Sequence, residues 1–191
     1  MSVNRDQVIR ALSIAEELSA HGFSVAIAGG FCRDVYFGVT PKDIDIVVAS
    51  GSIHDDRTEA HEMLGEVLRQ LGVEHLGFRM YNENTSDRII GGFKAVGNLD
   101  VVLYDVKHAH EAVDAFDFNL NQFVLQRRED FETAYVVYAG DTSWHELTPV
   151  RKDFSESRRS RMMEKFFDLA SRYPEGGGPA RVGLAQAFPK E

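Results

Sequence analysis

The order of segments along the chain predicts an α+β or mixed α/β domain. Three observations carry that reading. Apolar residues recur at helical spacing near the N-terminus, short apolar or alternating runs fill the middle, and a basic amphipathic stretch comes late. The 191 residues suffice for one domain with a short appendage, and for a full hydrophobic core without disulfides.

The elements follow in order. Asn4 can cap a first helix with Gln7 as its box partner, and Val8, Leu12, Ala15 and Leu18 mark the buried face. Gly22 ends that helix, and Ser24–Ala28 (SVAIA) forms a short buried strand running into Gly29-Gly30. A helix over 31–37 and a turn over 38–42 containing Pro41 come next. Asp43–Val48 (DIDIVV) alternates polar and apolar residues, as a strand does. Met63, Leu64, Val67, Leu68 and Leu71 give 55–71 an amphipathic helical face. Strands are expected over 73–81, 88–96, 98–104 and 132–138, with a polar turn over 82–87. The period of 117–125 leaves helix and strand both open, whereas 154–172 reads as a basic amphipathic helix. After Pro174 the Gly176-Gly177-Gly178-Pro179 run predicts a loosely held tail. The expected division is therefore a domain over 1–150, a basic helical appendage over 151–173, and a tail over 174–191.

Composition narrows the function classes. The chain carries 30 acidic and 21 basic side chains, a net charge of −9. A protein that grips nucleic acid over its whole surface is basic, because phosphate neutralisation supplies most of that affinity. Any nucleic-acid contact here is thus expected to be local, and the densest basic segment is 151–161, with Arg151, Lys152, Arg158, Arg159 and Arg161. No stretch approaches a membrane span, the N-terminus is polar rather than signal-like, and a single cysteine fits a reducing compartment, so the cytoplasm is expected.

The chemistry concentrates between residues 29 and 45. Asp43 and Asp45 stand two apart on an expected strand, so both side chains leave one face while Ile44 and Ile46 enter the core. Two carboxylates on one face repel unless a cation sits between them, and hard oxygen ligands favour magnesium or manganese. Where two such ions bind about 3.5–4 Å apart, one activates an attacking oxygen and the other steadies a leaving pyrophosphate. A third carboxylate completes a cage of that kind. Asp100, on a separate strand, is the candidate, with Asp105 as the fallback. Upstream, Gly29-Gly30 after a buried strand lets backbone N–H groups approach an anion, and Arg33 offers a planar fork to a triphosphate.

The spacing Gly29-Gly30-x-x-Arg33-Asp34-x-x-x-Gly38-x-x-x-x-Asp43-x-Asp45 resembles the head-domain signature of class II tRNA CCA-adding enzymes and bacterial poly(A) polymerases. These belong to the DNA polymerase beta-like nucleotidyltransferase superfamily, so the resemblance implies that fold, a mixed sheet flanked by helices. The likeness is specific over 25–48 and weaker over 98–125. There Leu99-Asp100-Val101-Val102 resembles a family strand bearing a further acid, and Asp117-Phe118-Asn119-Leu120-Asn121 resembles the R-R-D-F-T-I-N motif. The resemblance implies Asp43 and Asp45 as metal ligands, Gly29, Gly30 and Arg33 as triphosphate contacts, and Asn121 near the nucleotide.

There are departures. Ala115 and Phe116 stand where the family has two arginines, and the segment with Arg158 and Arg161 lacks a clean copy of the E-D-x-x-R neck motif. The chain ends where the family continues into a helical body and tail that hold tRNA. The expectation is a head with a stub of neck, not CCA addition by this chain alone. The expected activity is metal-dependent transfer of a nucleoside monophosphate from an NTP to a hydroxyl acceptor, with Asp43, Asp45 and Asp100 on the metals. An RNA 3′ end, a protein side chain and a small molecule remain open as acceptors. The alternative is a degenerate head that binds nucleotide or a macromolecular partner without turnover.

Other features read as structural. His108 and His110 beside Glu111 match no strong zinc spacing and are expected on a surface loop. Cys32 is expected to pack rather than react, and Phe116, Phe118 and Phe123 to serve mainly the core.

Overall fold

The computed structural model describes residues 5–79, 88–127 and 134–172. Its first helix, α1 (Arg5–Ala20), buries Val8, Ala11, Ile14 and Leu18 on one face. Gly22 closes it with φ 88°, a conformation that glycine adopts without strain. Asn4 lies outside the described residues. Gln7 serves tertiary structure instead of a cap, since its side-chain amide donates to the Gly97 carbonyl at 2.8 Å.

Five strands form the main sheet: β1 (Val25–Ile27), β2 (Ile44–Ala49), β3 (His75–Arg79), β4 (Ile89–Ala95) and β5 (Leu99–Tyr104). Their spatial order is β1-β2-β5-β4-β3, antiparallel throughout except for the parallel β2–β5 pair. That parallel step requires a long crossover. It is supplied by a 3₁₀ turn (Ser50–Ser52), the helix α3 (Arg57–Gln70) and the β3–β4 hairpin. Asp56 caps α3, its carboxylate accepting from Thr58 N and Glu59 N at 2.8 and 3.0 Å. The expected turn over 82–87 falls outside the described residues, as do the tail over 174–191 and residues 132–133 of the last expected strand.

Alternation along the central strands separates the two sheet faces. Ile44, Ile46 and Val48 of β2, Val101 and Leu103 of β5, and Phe93 of β4 share one core with Val8, Ala11 and Leu18 of α1 and Ala60, Leu64 and Leu68 of α3. On the other face, Val47, Ala49 and Tyr104 form a smaller cluster with Ala109, Ala112 and Val113. These last belong to a short helix, α4 (Ala109–Asp114). The loop expected around His108 and His110 is therefore corrected. His108 is the residue before the helix and His110 lies exposed in its first turn, while Ala109, Ala112 and Val113 are buried.

Between β1 and β2, the helix α2 (Gly30–Tyr36) is buried along nearly its whole length. The ambiguous stretch 117–125 resolves into both alternatives in turn, a 3₁₀ turn (Asn119–Asn121) followed by β6 (Phe123–Arg127). β6 pairs antiparallel with β7 (Ala134–Tyr138) in a separate two-stranded sheet. Tyr36 at the end of α2 and Phe37 just after it meet Phe123 and Trp144 with ring centroids 4.7–5.9 Å apart, and the Phe123 contacts tie that ribbon to α2. The last helix, α5 (Glu156–Ala170), is capped by Ser155 and turns Met162 and Leu169 inward. No helix among the described residues is long and apolar enough to cross a membrane.

Candidate active site

The parallel pairing of β2 with β5 decides the geometry. Asp45 and Asp100 are register partners, the second residue of each strand, so their side chains leave the same face of the sheet side by side. Asp43 stands just before β2, exposed, two residues from Asp45. Asp45 is partly buried. Burial, then the charges of Asp43 and Asp100, raise its pKa to about 7, although Lys94 and Arg33 pull the other way. Asp100 carries a local counter-charge, its Oδ2 accepting from Lys94 Nζ at 2.6 Å. Among the described residues, no three His, Cys, Asp or Glu side chains are gathered tightly enough to enclose an ion. Asp105 lies just beyond the end of β5 and is held by Arg57.

Gly29 closes over this row. With φ 89° and ψ −141° it precedes α2, and a Cβ added there would sit 3.8 Å from Asp45 Oδ2 and 3.8 Å from the Phe116 ring. Its N–H donates to the Phe123 carbonyl at 2.9 Å, so this amide, expected to face an anion, ties α2 to β6 instead. Cys32 follows in α2, fully buried, its Sγ 3.4 Å from the Ile27 carbonyl. Burial and then the Asp45 charge push its thiol well above the ordinary range, against a smaller opposing hydrogen bond from Leu125.

Arg33 lies within a network of side-chain hydrogen bonds. Nearly buried, it donates through Nε to Asp34 Oδ1 at 2.8 Å and through one terminal nitrogen to Asn121 Oδ1 at 2.8 Å. Asn121 in turn donates to Asp117 Oδ1 at 2.9 Å. Asp117 accepts from Arg158 Nε at 2.6 Å, and Asp34 faces Lys165 Nζ at 3.3 Å. A chain Lys165–Asp34–Arg33–Asn121–Asp117–Arg158 thereby joins α2, the 3₁₀ turn and α5. Arg158 is thus engaged by a carboxylate, while Arg161 is exposed. Sequence reasoning missed Asp34, Asp117, Lys165 and Lys94. Only the positions of Asp34 and Asp117 inside the two motifs could have pointed to them.

Comparison with known proteins bears on the fold. No family profile matches the chain. Over 53 residues, 28% of this chain, it is 47% identical to the CC-adding tRNA nucleotidyltransferase of Halalkalibacterium halodurans. It superposes on the Thermotoga maritima CCA-adding enzyme, solved in complex with tRNA, with a TM-score of 0.50 at 14% identity, over 72% of its length. The chain has the head fold of the CCA-adding enzymes. The head fold occupies only part of those relatives: the chain spans 14% of the Halalkalibacterium protein and 30% of the Thermotoga chain. In the head fold the carboxylate row, the Gly29–Gly30 turn and Arg33 all lie around one end of β2.

Proposed function

We propose that the chain is a metal-dependent nucleotidyltransferase that moves a nucleoside monophosphate from an NTP to the 3′ hydroxyl of an RNA, releasing pyrophosphate. The observation that carries the reading is the side-by-side placement of Asp45 and Asp100 next to Asp43, on a head fold. The donor set fits magnesium or manganese. Asp43, Asp45 and Asp100 are neighbouring hard oxygen donors, and burial, then the charges of Asp43 and Asp100, raise the Asp45 pKa to about 7, a cost that a hard divalent cation would relieve. When bound, such an ion polarises phosphoryl oxygens and lowers the pKa of the attacking hydroxyl.

The remaining tasks fall to the chain's own groups. Asp43, Asp45 and Asp100 would hold the ions. Arg33, kept in a fixed rotamer by Asp34 and Asn121, presents positive charge beside the Gly29–Gly30 turn, where the triphosphate would lie. Asn121 is placed by the same contacts and would border the nucleotide. Arg158 and Arg161, with the basic 151–161 segment, supply charge for the triphosphate or the RNA backbone. RNA is preferred to a protein or small molecule as acceptor because the relatives found are tRNA nucleotidyltransferases. The single buried cysteine suits a cytoplasmic setting.

The test is incubation of the chain with each α-labelled NTP, magnesium and RNAs with accessible 3′ ends, including tRNA ending before CCA. Label transfer with pyrophosphate release is expected, and Asp43→Ala and Asp45→Ala should each abolish it while far-UV circular dichroism stays unchanged. Retained transfer in folded Asp43→Ala would sink the assignment. Tight NTP binding without release on any acceptor would instead support the binding-module alternative.

A further inference from the structure

The carboxylate row has a third member on the next strand. Lys94 of β4 is the register partner of Asp100, as Asp100 is of Asp45, so three neighbouring strands present Asp45, Asp100 and Lys94 in line on one face. The ammonium sits 2.6 Å from Asp100 Oδ2. Of the two cations beside the row, Arg33 is fixed by Asp34 and Asn121, whereas Lys94 has a side chain 65% exposed on a flexible stem. In the same position its Nζ lies 6.0 Å from the centre of the Phe78 ring.

We propose that Lys94 is a resident counter-cation of this row, competing with the divalent ion for Asp100 and swinging off that carboxylate when the ion binds. The proposal rests on the metal reading above. An oxygen already accepting a short charged hydrogen bond does not offer the same lone pair to a metal, and an ammonium beside a divalent ion repels it. An exposed pair of this kind is weak enough to be exchanged. Lys94 thus moderates the affinity of the site, and once displaced it stays within reach of the same sheet face.

Binding of manganese alone can be followed by the loss of the free-ion electron paramagnetic resonance signal, for the wild type, Lys94→Met, Asp100→Asn, Asp45→Asn and the Lys94→Met/Asp100→Asn pair. Lys94→Met should bind manganese about two- to fivefold more tightly. That gain should vanish in the Asp100→Asn background, since the competition is for Asp100 itself. Unchanged or weaker binding in Lys94→Met overturns the proposal. So does an equal gain with Asp100 already replaced, which would mean a diffuse field effect. If the wild type binds manganese and Asp45→Asn does not, while Lys94→Met matches the wild type, only the role of Lys94 falls. If no variant binds the ion, the metal reading falls too.

Discussion

Arg33 and Asn121, 88 residues apart in sequence, meet through a 2.8 Å hydrogen bond between guanidinium and amide. Through Asp117 that contact continues to Arg158 on α5, so the helix after the second sheet is linked by side chains to the residue expected to face the triphosphate.

Breaking the far end of that link should loosen the near end. Burial alone would raise Asp117, but Arg158, Asn121 and the Phe118 N–H outweigh it and hold the carboxyl below its ordinary value. A lowered carboxylate contributes stability above its unfolded pKa of about 3.9, which is lost as pH falls through that range. Asp117→Asn should therefore lower stability at pH 7 by about 1–3 kcal/mol, and by much less at pH 3. Denaturant titrations at the two pH values measure the difference.

Asp45 shows the opposite sign. Its carboxyl, raised to about 7, keeps a proton in the folded protein that the unfolded chain has already released. Without divalent ions, folding stability should decline as pH rises from about 4 to 7. Asp45→Asn should remove that decline and gain on the order of 2 kcal/mol at pH 8. Magnesium should raise the melting temperature of the wild type and leave Asp45→Asn unmoved. Equal magnesium responses would contradict the metal role.

His61 gives a second acid-sensitive point, away from the site. It is buried against Phe93, ring centroids 4.5 Å apart, with Nε2 3.0 Å from the Phe78 carbonyl. Burial is the main cause that lowers its pKa below the ordinary 6.5. The folded state thus prefers neutral imidazole, and stability present above about pH 6.5 is lost as pH falls below it. His61→Gln, which keeps a donor for the carbonyl, should flatten the stability slope between pH 6.5 and 5. Circular-dichroism melts across that range would show it.

The sheet also has a position that tolerates only glycine. A Cβ on Gly92 would lie 2.3 Å from the Val101 carbonyl oxygen, inside the β4–β5 ladder that carries Lys94 and Asp100. Gly92→Ala should cost more than about 3 kcal/mol, because backbone must move. Soluble yield and melting temperature should both fall, whereas Gly38→Ala, with open space around it, should lose only about 1 kcal/mol from its positive φ.

Much of this was legible from the residues. Ile44, Ile46 and Val48 announce one buried face of a strand, and that same alternation puts Asp45 on the opposite face beside Asp100. What could not be read was anything depending on pairing between distant segments. Nothing local distinguishes Lys94 from other surface lysines, and it gains meaning only when β4 lies beside β5. Residues 117–125 gave no decisive period because their polar side chains serve contacts rather than a face: Asn119 bridges to 143–148, and Asn121 joins Arg33 to Asp117. Helix α4 was missed because six residues with only Ala109, Ala112 and Val113 on the buried side carry little amphipathic signal.

The β2–β5 pairing has a further consequence. Of the three acids, two come from one stretch and the third enters only after α3 and a hairpin have been threaded between them. A peptide excised around the glycine–aspartate signature would own the recognisable letters without the site. The shortest stretch of chain that holds all three acids and both strands runs from residue 43 to 104. Any chimera or fragment made to borrow this chemistry must carry that whole span, with β2 and β5 in their present alignment. A slip of one residue would turn Asp100 into the core and Val101 out to solvent.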